Sequence, residues 1–138
     1  MENAQTAHIC LLFAATTTSA NICIIPPVIV SKIQGRIIYV IRDSEQNWVA
    51  DNVNVELAKS DNGIQKVVSS VLSSDNGRFE LPTPVPGTYW LSFRSEAASS
   101  AVEVHIKQSS PNRWLRVELG MIDPVHCPLT KVLARAKE

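Results

Sequence analysis

The chain has 138 residues, 45% of them hydrophobic and 19% charged, a size and balance that suit one domain with a buried core and exclude a wholly disordered tail or a collagen-like fibre. Its 13 Lys and Arg are matched by 13 Asp and Glu, so no net field draws it onto nucleic acid or an anionic membrane. Neither is expected as a partner.

At the N-terminus the short apolar run Ile9 to Ala15 is followed by Thr16-Thr17-Thr18-Ser19-Ala20. Small residues before a cut after Ala20 give residues 1–20 the look of a secretory leader, although Glu2 and His8 replace the usual positive charge. A spanning helix does not fit, because Pro26-Pro27 and a polar stretch interrupt the apolar residues from Ile9 to Val30, and a bilayer needs roughly 20 mostly apolar residues. The expected compartment is therefore secreted or periplasmic. Of the three cysteines, Cys10, Cys23 and Cys127, the last two remain after cleavage. An oxidising compartment would allow them to tie an N-terminal extension (21–32) to a C-terminal tail (121–138), provided their Cα atoms come within reach.

From Ile33 onward the apolar residues recur with period two, punctuated by turns, as in an all-β sandwich. About seven strands follow. Gly35 to Ile41 carries Ile37, Tyr39 and Ile41 on one face, and Asn52 to Ala58 carries Val53, Val55 and Leu57. Asp61-Asn62-Gly63 favours a tight hairpin into Ile64 to Leu72, and Asp75-Asn76-Gly77 turns the chain into Arg78 to Leu81, with Phe79 and Leu81 inward. Thr88 to Arg94 points Tyr89, Leu91 and Phe93 inward. Ala101 to Ile106 does so with Val102, Val104 and Ile106, and Arg113 to Leu119 with Leu115, Val117 and Leu119. At the end, Leu129, Val132, Leu133 and Ala136 fall at i, i+3, i+4 and i+7, which predicts a short helix or a loose tail.

Several of these segments, Gly35-Arg36-Ile37, Val53 to Leu57, Ser74-Asp75-Asn76-Gly77-Arg78-Phe79-Glu80-Leu81 and Val85-Pro86-Gly87-Thr88-Tyr89-Trp90-Leu91, together resemble a known family. Over roughly residues 33 to 119 the chain is similar to the carboxypeptidase regulatory-like domain of the transthyretin-like (prealbumin-like) sandwiches. The resemblance implies a seven-stranded antiparallel Greek-key β-sandwich over 33–120. It also implies an extracytoplasmic accessory module with a structural or protein-binding role and no chemistry of its own.

The motif content of the chain also leads to the expectation of a non-enzyme. A zinc peptidase needs three protein ligands and an open position, and no such spacing occurs; neither does a Gly-x-Ser-x-Gly elbow, a phosphate-cradling loop or Cys-x-x-Cys. His126 and Cys127 are adjacent, and neighbours in an extended chain point apart. Glu103 and His105 share a strand face and could offer a metal two ligands, but no third is visible. Asp61, Asn62, Asp75 and Asn76 already have turn roles, short of the six oxygens calcium wants. The transthyretin-like hydrolase of 5-hydroxyisourate ends in Tyr-Arg-Gly-Ser, whereas this chain ends Leu133-Ala134-Arg135-Ala136-Lys137-Glu138. No metal or cofactor is expected.

What stands out is Trp90 and Trp114 on outward positions, with Arg94, Arg116 and His105. Trp with Arg is enriched at binding hot spots, so these five residues are the candidate site, for another protein or, with the tryptophans as stacking platforms, for a glycan. The competing expectation is that the two rings are cross-strand neighbours or lie under the chain ends. Trp48, between the first two strands, could cap an open end of the sandwich.

Overall fold

The computed structural model describes residues 25–40, 47–96, 98–120 and 131–136. The leader, all three cysteines, His126, Ile41 and Leu129 lie outside them. The described chain is all-β: β1 (Val28–Val30), β2 (Ile33–Val40), β3 (Asn47–Val49), β4 (Asn54–Asp61), β5 (Ile64–Leu72), β6 (Arg78–Leu81), β7 (Gly87–Arg94), β8 (Ser99–Ile106), β9 (Arg113–Gly120) and β10 (Lys131–Ala136). Ten strands replace the expected seven. The first sheet has the order β1-β8-β7-β4-β5; in the second, β10-β9-β2 continues into β3, and β6 also pairs with β2.

Period-two alternation decides which side chains meet. Val55 and Leu57, Phe79 and Leu81, Tyr89, Leu91 and Phe93, Val102, Val104 and Ile106, and Leu115, Val117 and Leu119 are all buried in one apolar cluster between the sheets. Burying each such side chain contributes about 1.5–3 kcal/mol. Phe79 of the second sheet meets Phe93 of the first edge-to-face, with ring centroids 5.7 Å apart, which ties the two layers together.

Two expectations are corrected. The sheets are mixed rather than antiparallel, because β1 runs parallel to β8 and β2 runs parallel to β9. The N-terminal extension supplies β1: after Pro26-Pro27, which have no amide hydrogens to pair, Val28 and Val30 turn into the core and Ile29 turns out. The predicted C-terminal helix is a strand, β10, antiparallel to β9 from Lys131↔Glu118 to Ala136↔Arg113. An edge of β9 that would otherwise carry unpaired backbone groups outweighs a weak helical period in a segment too short to hold a helix by itself.

The turns follow local chemistry. Asn62 (φ 52°) and Gly63 (φ 80°) form a two-residue hairpin loop between Asp61 and Ile64, and two successive positive φ values are what a type I′ turn needs. Gly77 (φ 74°) stands so close to β2 that a Cβ there would lie 2.4 Å from the Ile37 carbonyl oxygen. Its own carbonyl accepts the Ile37 amide at 2.8 Å, and the Ile37 carbonyl accepts from Ala50 at 3.1 Å, so one edge of β2 passes from β6 to β3 at that point. The buried Ser73 hydroxyl donates to the Ala50 carbonyl (2.7 Å) and accepts the Val53 amide (2.9 Å), satisfying backbone groups that would be costly to leave unpaired.

Candidate functional site

The outer face of the first sheet is assembled by register. Trp90 lies opposite Ala58 on one side and Glu103 on the other, and Ala58 lies opposite Val67. Thr88 faces His105, which faces Ile29. Arg94 faces Asn54, which faces Leu72. Directly opposed residues share a sheet face, so Ile29, Trp90, Val67 and Leu72 belong to one surface. Trp90 is 41% exposed and Val67 59%. The β4–β5 pairing slips one residue between Leu57 and Ala58, leaving Val68 as an extra, exposed residue on β5, the last strand of the sheet among the described residues. Arg94 stands at the rim, 3.8 Å from Glu56, which also accepts from Asn54 Nδ2 at 3.0 Å.

Beside Trp90, His105 Nε2 lies 2.7 Å from Glu103 Oε2, and its Nδ1 lies 3.3 Å from Thr88 Oγ1. Hydroxyl, imidazole and carboxylate thus follow the order of a nucleophilic triad. Acyl transfer also needs free N–H donors for the developing oxyanion. Here β7 pairs with β8 along its length, Thr88 opposite His105, whereas its pairing with β4 runs only from Trp90 to Arg94 and that of β8 with β1 only from Val104 to Ile106. The contacts at both ring nitrogens orient the imidazole. Among the described residues no three His, Cys, Asp or Glu side chains are placed to hold a metal ion.

Trp114 and Arg116 lie elsewhere, on β9 of the second sheet, with outward positions on the far side of the core. The expected five-residue site is therefore divided: Trp90, Arg94 and His105 on one outer face, Trp114 and Arg116 on the other. The tryptophans form neither a shared patch nor a cross-strand pair. Arg78 covers Trp114, its guanidinium carbon 5.2 Å from the ring centroid, and the indole N–H is buried without a hydrogen-bond partner among the described residues. Trp48 belongs to β3 opposite Tyr39, and its ring is exposed.

Sequence reading did not single out Thr88, Ile29 and Val67 on the first face, nor Arg36 and Arg78 as functional on the second. Each acquires its meaning from a partner strand, and only the parallel register of β2 on β9 aligns Arg36 with Arg116.

No family model matches the chain, and no curated protein matches it. Among solved structures, that of (S)-allantoin synthase aligns with a TM-score of 0.46 at 14% identity, over 78% of this chain and 46% of that one. This chain thus spans less than half the length of that protein, and a likeness at that level carries no argument about function.

Proposed function

We propose that the chain is a non-enzymatic, extracytoplasmic β-module of the carboxypeptidase regulatory-like kind, and that it binds another protein through the outer face of the first sheet. The observation that carries this reading is the row Val67–Ala58–Trp90–Glu103: a half-exposed indole between an exposed valine and a carboxylate, beside β5, the last strand of the sheet among the described residues. An aromatic anchor ringed by polar groups is the arrangement from which protein hot spots are built. The same ring could stack on a sugar, which makes a glycan the competing occupant.

The test is retention of a partner from extracts of the native host by immobilised full-length protein. Trp90→Ala and Val67→Ala should weaken a specific protein's retention at least tenfold and leave the melting temperature within a few degrees, since neither side chain is in the core. Lost stability without lost association would sink the binding role, and Trp90 fluorescence quenched by an uncharged glycan would transfer it to carbohydrate.

The compartment has a separate measurement. β1 and β10 lie beside each other, and Cys23 and Cys127 precede these two strands by a few residues, which favours the bridge between extension and tail. In the chain-entropy model a loop of about a hundred residues makes such a bridge worth ~4–5 kcal/mol. Intact mass of the mature protein should show the chain starting at Asn21 and two hydrogens short of the dithiol mass; an uncleaved, reduced chain would refute the extracytoplasmic reading.

A further inference from the structure

The outer face of the second sheet carries a charge pattern that the fold itself does not require. Arg116 on β9 lies directly opposite Arg36 on β2, and Arg36 directly opposite Arg78 on β6, with Leu133 of β10 at the other end of the row. Adjacent strands are about 4.8 Å apart, so three guanidinium side chains rise from neighbouring positions of one cross-strand row. Arg135 and Lys131 of β10 share the face, opposite Trp114 and Glu118. Among the described residues of these strands, two carboxylates, Glu118 and Glu80, stand against these five cations, in a chain whose formal charge is zero.

Like charges directly opposed across strands are destabilising, so this row persists at a local cost that a bound anion would offset. The side chains are also anchored. Arg36 Nε donates to the Asn76 carbonyl at 3.1 Å, Arg116 Nε donates to Glu118 at 3.1 Å, and Arg78 lies over Trp114. In the first two the anchoring atom is Nε, so these bonds leave the Nη donors of both forks for a ligand. We infer that the Arg36–Arg78–Arg116 row is a binding site for the sulfate groups of a sulfated polysaccharide.

The chemistry selects this class. A single carboxylate is satisfied by one guanidinium fork, whereas the repeated sulfate esters of a polysaccharide can each meet a separate fork along the row. Single-stranded nucleic acid needs open aromatic rings for its bases, and the ring of Trp114 is occupied by Arg78. Among the described residues this face has no helix to enter a duplex groove. The choice of sulfate over phosphate rests on the extracytoplasmic reading above.

The experiment uses full-length protein and four probes: heparin, unsulfated hyaluronan, polyphosphate and single-stranded DNA. Heparin should bind best, with affinity falling steeply as salt rises. The double variant Arg36→Gln, Arg116→Gln should weaken heparin at least tenfold and flatten the salt slope by about one to two, with a melting temperature changed by no more than a few degrees, the relieved repulsion offsetting the two lost Nε bonds. Arg36→Lys, Arg116→Lys should also weaken binding, since the charge stays but the fork is lost. Lys66→Gln, a charge removed from the other sheet, should have no effect. Equal binding to hyaluronan, an equal effect of Lys66→Gln, or full retention of heparin by the lysine variant would overturn the site. So would absence of binding to every probe, which would leave the extracytoplasmic module reading intact. Tighter binding to polyphosphate or DNA through the same arginines would overturn the sulfate assignment, and the polyphosphate result would count against the extracytoplasmic reading too.

Discussion

A Phe93→Ala chain is expected to lose about 3–5 kcal/mol of unfolding free energy. Phe93 has no exposed surface, and its ring meets Phe79 at an interplanar angle of 73°, an edge-to-face pair between side chains of different sheets. Truncation removes apolar burial, leaves a cavity between two ladders that resist collapse, and abolishes an aromatic contact worth about 0.5–1.5 kcal/mol beyond its area. Domains of this size are stable by roughly 5–15 kcal/mol, so the variant should sit near the edge of folding. In urea the midpoint should fall while the slope stays constant. A change below ~1 kcal/mol would mean that the sheets do not meet at this ring.

Gly35→Ala should be nearly as damaging, for the opposite reason. A Cβ at Gly35 would lie 2.0 Å from the Leu115 carbonyl oxygen and 2.8 Å from its carbon. These are backbone atoms of β9, the parallel neighbour of β2, so no rotamer change relieves the clash and one strand must shift. Overpacking in a core typically costs about 1–3 kcal/mol, and displacement of a central strand puts this substitution at or above the top of that range. Gly63→Ala is the matched control: nothing lies within 4 Å of its added Cβ, and only the strain of φ +80° remains. Thermal melts should rank Gly35→Ala well below Gly63→Ala; the reverse order would show that β2 and β9 are not in close contact at Leu115.

The sequence disclosed the inside of this molecule better than its edges. Val53, Val55 and Leu57, Tyr89, Leu91 and Phe93, and Leu115, Val117 and Leu119 were all readable as inward, because alternation is a property of one strand. So was the hairpin at Asn62-Gly63, where two residues determine the backbone. The three-residue strands β1 and β3 are too short to show a period. In β10, Val132, Leu133 and Ala136 fit a helical spacing, whereas pairing with β9 is tertiary information. The candidate site has the same boundary: Trp90, Arg94, His105, Trp114 and Arg116 were legible as outward, but their division between two sheets depends on strand order. The arginine row depends on a register between segments far apart in the chain.

Those two parallel pairings also govern when the protein can fold. They join Val28 to Val104 and Gly35 to Leu115, so neither can form until most of the chain has left the ribosome. The hairpins β4–β5 and β7–β8 can assemble early, while Ile33, Ile37 and Val30 must wait with their apolar faces uncovered. Topologies dominated by such distant contacts fold slowly and expose sticky intermediates. This small domain is accordingly one whose yield in a cell should depend on chaperone supply and growth temperature more than its final stability would suggest.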